Sequence, residues 1–428
     1  MRSRPGYKTT EVGEIPEEWE VARLRDVILE AKSGFASGKR DAEGIIQLRM
    51  NSIGTDGWLV GDSYVRVPPP SGVDEYLLRP DDILLTNTSG SSELIGKTAL
   101  YRGEFDDATY SNHITRIRVS TDSVLPGWVF YILLRNWDVG ILRSLSVTQA
   151  GGQKTIRSDD LLASRIPVPH PAEQRKIASI LSTVDDALQK TDEIIVKSRQ
   201  LKKGLMQQLL TKGIGHTKFK KTEIGETPEE WKVVRLGEVL ETCQYGISAP
   251  LYLSGEHAVL RMNNLIDGYV KATDVKYANM DREAFNDFKL KKGDVLFNRT
   301  NSYDLVGKAG IFSLDGEYSF ASYLIRLRTV PQEADPRFIN YLLNSDIYQE
   351  RLRSLATRGS SQANINAKNL KSILIPLPPL PEQQRIVTIL STTDKKIHKE
   401  EEKRRRLERT KRGLMRVLLT GKVRVKVT

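Results

Sequence analysis

The stretch Ser91-Ser92-Glu93-Leu94-Ile95-Gly96-Lys97-Thr98 ends like a phosphate-cradling loop. That chemistry needs G-x-x-x-x-G-K-[ST], because the leading glycine lets backbone N–H groups close on the phosphates while the lysine reaches them. Position 91 is a serine, and Gly90 stands one residue too early. A related stretch around Lys308 reads Val306-Gly307-Lys308-Ala309-Gly310, with neither the hydroxyl nor the leading glycine. Both are read as turns after a strand, with the lysine outward.

Other chemistry finds no better footing. His113, His170, His216, His257 and His398 show no metal-ligand spacing. Cys243 is the only cysteine and has no histidine near it in sequence, so it reads as a small apolar residue, not a nucleophile. No dinucleotide fingerprint, nucleophile elbow, zinc-deaminase signature or Asn-Pro-Pro-Tyr-type stretch occurs. Together these absences predict no covalent chemistry, no metal and no cofactor in this chain.

The elements that must carry any site come in pairs. Thr10 to Val27 (TEVGEIPEEWEVARLRDV) returns at Thr222 to Val239 as TEIGETPEEWKVVRLGEV. LRMN recurs at Leu48 and Leu260, the Asp82 run DILLT at Asp294 as DVLFN, and TRIRV at Thr115 as IRLRT at Ile325. Two copies of one fold follow, each with short β-branched runs broken by Gly, Asn and Pro. Helices are predicted near 127–145 and 336–355, and Trp19 and Trp231 read as core anchors.

Each copy leaves through a proline run, IPVPHP from Ile166 and IPLPPLP from Ile375, which forces an extended exit before a long helix. Roughly 40 residues at 1.5 Å each make a rod of about 60 Å. Ile177, Leu181, Val184, Leu188, Thr191, Ile195, Leu205 and Leu209 form one heptad seam, and Ile386, Leu390, Thr393, Ile397, Leu407, Leu414 and Leu418 the other. Thr191, Ser198, Lys202, Glu400, Arg404 and Lys411 interrupt them in a way that fixes register. We therefore expect an α+β protein in which two sheet-rich domains are separated by two long helices paired as an antiparallel coiled coil with pseudo-two-fold symmetry. If the copies are equivalent, the C-terminus ends beside the first domain. The expected division is 1–165, 166–213 (helical spacer), 214–374, and 375–428 (second spacer and tail).

Length, at 428 residues, suits two domains. The net charge of +11 is unevenly placed: residues 385–428 hold 15 lysines and arginines against five acidic residues, whereas 1–171 and 213–384 are near balance. Neither a signal peptide nor a membrane-spanning run is visible, so a cytoplasmic protein with no membrane contact is expected.

The doubled Pro-to-Glu-Gln lead-in at Ile166 to Gln174 and Ile375 to Gln383, the GLM-x-x-LLT helix ends and the repeated EIPEEW/ETPEEW openings resemble the specificity subunit of Type I restriction-modification enzymes. That resemblance spans the chain and implies two target-recognition domains, each reading half of a split, asymmetric site in double-stranded DNA. It implies a helical spacer that docks two modification subunits, which bind S-adenosylmethionine, with restriction/translocase subunits added. The competing expectations are a methyltransferase or nuclease acting alone, or a coiled-coil adaptor without DNA affinity.

Residues identical in both copies cannot by themselves make the domains read different sequences. Arg49/Arg261, Asn51/Asn263, Lys97/Lys308, Arg116/Arg326 and Gln153/Gln362 are therefore candidates for scaffold or phosphate contact. Candidate readers lie where polar loops differ: Asn87, Thr88 and Ser89 against Asn298, Arg299, Thr300, Asn301 and Tyr303; His113 against Tyr323; Gln149 and Lys154 against Arg358 and Ala363. Amide and guanidinium groups can pair with adenine and guanine edges.

Overall fold

The computed structural model describes residues 4–120, 123–358 and 362–426. The chain divides into two compact units, Met1–Asp192 with Lys403–Thr428, and Glu193–Glu402. Two sheet-rich units and two long helices in extensive contact are what the structure shows, as the α+β reading expects.

In the first unit, strands Ile28–Ser33, Ile114–Val119, Ile83–Thr86 and Thr98–Leu100 pair antiparallel in that order. Ile83-Leu84-Leu85 is apolar throughout because both faces of this sheet are covered. Ile83 and Leu85 enter a core with helix Pro126–Asp138 and the long helices, while Leu84 enters a second core with Ile46, Leu48 and Tyr110. That second core lies against a three-stranded sheet in which Ile45–Leu48 pairs parallel with Ala108–Tyr110.

The second unit is built alike. Val295 and Phe297 face one core and Leu296 another. Its main sheet has six strands, gaining Leu265–Ile266 and Tyr269–Val270 at one edge. In each unit a carboxylate before the central strand grips a neighbouring strand's arginine: Arg118 Nε and Nη2 donate to Asp82 at 2.7 Å, and Arg328 to Asp294 at 2.7 and 2.8 Å.

Each of the helices expected near 127–145 and 336–355 is broken. Residues 127–145 form Pro126–Asp138 and Ile141–Ser144, interrupted where Gly140 takes φ 85°. Residues 336–355 form Pro336–Leu343 and Asp346–Ser354, the second starting after Ser345.

Strands Arg165–Val168 and Leu374–Leu377 hold the proline exits, paired with Glu20–Arg23 and Lys232–Arg235. The long helices Pro171–Leu209 and Leu380–Leu418 follow, 39 residues each. The Glu-Gln pair at each start is a buried fastener. Gln174 Nε2 donates to the Ser123 and Pro169 carbonyls, and its Oε1 accepts from the Leu125 N–H. Gln383 does the same with Glu333, Pro378 and the Asp335 N–H. Trp19 Nε1 donates to Glu173 and Trp231 Nε1 to Glu382, both at 3.0 Å.

Along the first long helix Ile177, Leu181, Leu188, Thr191, Ile195 and Ser198 are buried, while Val184 and Leu205 are half-buried. Two carboxylates, Asp185 on this helix and Asp394 on the second, are buried as well, where heptad counting had placed Val184 and Thr393. In the first unit Tyr131 donates to Asp185 at 2.7 Å, and Lys411 meets it at 2.6 Å. In the second, Tyr341 and Tyr269 donate to Asp394 at 2.6 and 3.0 Å, and Lys202 meets it at 2.6 Å. Burial pushes the Asp185 carboxyl up, against the opposing pull of the Lys411 ammonium.

Within the first unit, Asp185 pairs with Lys411 and Asp192 with Arg404, so one helix's numbering rises as the other's falls. The same holds in the second unit for Arg199 with Glu401 and Lys202 with Asp394. The chain's end lies beside its beginning: Tyr7 donates to the Gly421 carbonyl at 2.8 Å, and Arg424 donates to Glu173 and Glu18. In the second unit Glu382 is held instead by the Ile214 N–H and His216.

Candidate nucleic-acid interface

A cleft of about 730 Å³ opens in the first unit where the two sheets meet. Strand Ile45–Leu48 and the turn after it supply Gln47, Arg49, Met50 and Asn51; the central strand and its extension supply Thr86 and Ser89; Lys97, Ser111 and His113 close the wall. Five of the sequence-chosen residues thus come together: Arg49, Asn51, Ser89, Lys97 and His113. Among the described residues no carboxylate lines the cleft, so its field is that of Arg49 and Lys97, suited to an anionic strand.

The turn is shaped locally. The Arg49 N–H donates to the Ser52 hydroxyl at 2.9 Å, while Arg49 Nη2 reaches the Ser37 carbonyl at 3.2 Å. Asn51 is exposed and donates to Ser63 at 2.8 Å. Lys97 corrects the outward reading: it is 7% exposed, with its ammonium on the Met50 and Ile53 carbonyls. With no carboxylate beside it, burial lowers its pKa. Lys308, by contrast, is exposed beside a separate cleft of about 490 Å³ with Tyr269, Asn340 and Asn344.

Gln47, Thr86 and Ser111 escaped the sequence reading. Each lines the cleft, and the Gln47 Oε1, Thr86 Oγ1 and Ser111 Oγ atoms have no hydrogen-bond partner among the described residues. A signal existed: an amide inside the apolar run Ile45-Ile46-Gln47-Leu48, where the second copy reads His257-Ala258-Val259-Leu260.

The second unit fills the corresponding region differently. Asn87 N–H donates to the His113 carbonyl and Arg299 N–H to the Tyr323 carbonyl, both at 3.0 Å, so Arg299 stands where Asn87 does, not Asn298. Asn298 is buried, donating to the Leu305 carbonyl at 3.2 Å. Arg299 lies over the Tyr245 ring at 4.8 Å and donates to the Ser322 carbonyl and Asn364. Asn301 reaches Met262 Sδ at 3.3 Å, across the space that Ser89 and Met50 leave open in the first unit. Thr300 accepts from Asn364 at 2.7 Å. Tyr303 and Tyr323 are exposed, as is Asn263, and Arg261 is tied to Asp274 at 2.7 Å.

Other chosen residues lie elsewhere. Asn87 is buried, donating to Ser33, Thr115 and the Asn112 carbonyl, and Thr88 donates to it at 3.0 Å. Arg116 is 2% exposed and bound to the Glu75 and Leu77 carbonyls and Glu30. Arg326 is likewise buried on the Lys289 and Asp287 carbonyls and Gln244. Both guanidinium groups are thus engaged by contacts within their own unit. Gln149 and Gln153 are exposed in the hairpin joining Ser146–Thr148 to Lys154–Ile156, where Lys154 donates to Thr148 at 2.6 Å. Gln362 is exposed beside strand Ala363–Asn364, and the Arg358 side chain lies outside the described residues.

Among the described residues no cluster of three or more His, Cys, Asp or Glu could hold a metal, and no helix is long and apolar enough to cross a membrane.

Residues 16–197 and 228–409 each match the Type I restriction modification DNA specificity domain. The chain is 30% identical to the putative type I restriction enzyme MjaX specificity subunit of Methanocaldococcus jannaschii, over 98% of this chain and 97% of that one. It is 28% identical to the MjaVIII specificity subunit of the same organism, over 96% and 94%. The crystal structure of the Type I restriction-modification S subunit from M. genitalium has the same fold, with TM-score 0.59 at 15% identity over 99% of this chain and all of that one. With the domain matched twice and a relative aligned nearly end to end, this chain belongs to the Type I restriction-modification specificity subunits.

Proposed function

We propose that the chain is the DNA-recognition subunit of a restriction-modification complex and reads a bipartite, asymmetric site, one half with each sheet-rich domain. The carrying observation is a contrast between the units. Their fasteners are the same, Trp19–Glu173 and Gln174 in one, Trp231–Glu382 and Gln383 in the other, while the cleft residues Gln47, Ser89 and Ser111 are replaced at the equivalent positions of the second unit by Val259, Asn301 and Ala321. A shared frame with divergent polar walls suits two readers of different sequences. Domains 1–165 and 214–374 are the readers; 166–213 and 375–428 are the spacer.

The two helices pair as an antiparallel coiled coil with pseudo-two-fold symmetry. Supporting this, Asp185 with Lys411 and Asp394 with Lys202 join the same positions of two helices of equal length. The spacer sets the gap between half-sites and docks the methyltransferase subunits, which carry S-adenosylmethionine, and the restriction subunits. The chain itself does no covalent chemistry and works in the cytoplasm.

Arg299→Ala in the assembled complex tests the reader role. Arg299 is already oriented by Tyr245 and Asn364, so its loss should lower discrimination at one position of one half-site by about 1–3 kcal/mol. Uniform weakening on all sequences would assign it to phosphate instead. Incubating the pure chain with DNA and labelled S-adenosylmethionine should transfer no methyl group; transfer would favour a stand-alone methyltransferase.

A further inference from the structure

The electrostatic part of DNA binding has to come from somewhere, and the sheet-rich domains offer little of it. Their segments are near charge balance, and buried or paired contacts occupy Arg116, Arg118, Arg326 and Arg328. A protein that holds duplex DNA by phosphate contacts needs free cations aligned at strand spacing.

The first unit has such a row on the last part of helix Leu380–Leu418. Arg405, Arg409, Arg412 and Arg416 are all exposed, with Arg406 beside them. Steps of four, three and four residues put the first four on one helix face, turned roughly 120° from the side that buries Lys411, Met415 and Leu418. None of the five guanidinium groups forms an ion pair or hydrogen bond among the described residues. Glu408, the one carboxylate between positions 403 and 416, is engaged by Arg404 at 2.6 Å.

Like charges three and four apart on a helix repel, so a row of unpaired arginines works against the helix that carries it. The other long helix avoids that cost. At its matching positions stand Val196, Lys197, Gln200, Lys203 and Gln207, and Val196 is openly exposed. The row is therefore not a requirement of the spacer fold.

We infer that the face bearing Arg405, Arg409, Arg412 and Arg416 lies along the sugar-phosphate backbone of duplex DNA and holds it without regard to sequence. At 1.5 Å per residue the row runs about 16 Å, roughly the axial length of five phosphates on one strand. Guanidinium forks suit phosphate oxygens, and the cost of like charges is repaid only when a polyanion neutralises them. This inference rests on the DNA-recognition reading and adds a second kind of contact to it.

The test compares the assembled complex with its Arg405→Gln/Arg409→Gln/Arg412→Gln/Arg416→Gln variant, on a duplex with the cognate split site and on an unrelated duplex, across a range of salt. The slope of log K against log salt should become shallower by about 3.6 on both duplexes, at about 0.9 per phosphate contact, with the ratio between duplexes unchanged. The corresponding four-lysine variant should restore most of the slope, and the glutamine variant should melt no lower than the parent. An unchanged slope would overturn the inference and leave a merely solvated face. Loss of the modification subunits on purification, with the DNA slope of the chain intact, would overturn it in favour of an acidic protein surface. A parent complex that ignores sequence, yet loses its slope in the variant, would refute the recognition reading while keeping the phosphate row.

Discussion

Removing Lys411 should destabilise the first unit far more than removing any surface lysine. Asp185 and Lys411 are 1% and 7% exposed at 2.6 Å, so solvent screening offers no discount. Lys411→Met leaves Asp185 with only the Tyr131 hydroxyl, and an uncompensated buried charge costs about 3–5 kcal/mol. For a unit of this size that lowers the melting temperature by roughly 6–20 °C. Proton uptake supplies a second signature. Without the ammonium, the carboxyl pKa rises further above its ordinary 3.8. The folded state then binds a proton that the unfolded state does not, and stability falls as pH rises through that window. The deficit should thus be larger at pH 8 than at pH 5. Adding Asp185→Leu should recover much of the loss, because an apolar pair strands no charge, though the Tyr131 hydroxyl still lacks its acceptor. Chemical denaturation gives the free energies, and hydrogen exchange in Pro126–Asp138 assigns them to this unit, leaving Pro336–Leu343 unaffected. A deficit below about 1 kcal/mol for Lys411→Met, without pH dependence, would refute the argument.

Gln174→Ala should cost about 1–3 kcal/mol by leaving the Leu125 N–H and two carbonyls unpaired, measured by urea denaturation; Gln383→Ala should match it in the other unit. Gly421→Ala should free the C-terminal tail to limited proteolysis, since φ is +69° and the added Cβ would stand 2.3 Å from Pro16 Cδ. Gly6→Ala, at φ +77° with nothing nearby, should leave the tail protected. Arg282 and Lys289 hold the Glu317 carboxyl down to about 2 from 4.5. A depressed folded pKa contributes stability above the unfolded value and loses it as pH falls through the folded one. Glu317→Gln should therefore flatten the stability profile between 4.5 and about 2, as read from denaturation at stepped pH.

The sequence showed the frame better than the cleft, for physical reasons. Pro-to-Glu-Gln and the two tryptophans recur at matched spacing because each makes several fixed contacts at once, and such contacts tolerate few residue types. The broken helices were hidden because Gly140 is one residue in an otherwise helical pattern and Ser345 a cap inside another. Asp185 and Asp394 are not legible as seam residues, since an acid is unfavourable in a seam until its lysine, far along the chain, is known to face it. Lys97 was expected outward on the same ground: only the fold brings the Met50 and Ile53 carbonyls to it. For Asn87 and Arg299, matching asparagine to asparagine shifts the comparison by one; the DILLT/DVLFN register from Asp82 and Asp294 and the backbone bonds to His113 and Tyr323 agree in setting it right.

The fasteners at each helix start have a bearing on how such a chain could change. Glu173 and Gln174 hold the domain by its tryptophan and by main-chain groups at the sheet-capping helix, touching nothing that lines the cleft. Substitutions at Gln47, Ser89 or Ser111 therefore leave the contacts of the mount in place. The walls of the cleft can thus vary while the way the domain is seated on its helix stays the same.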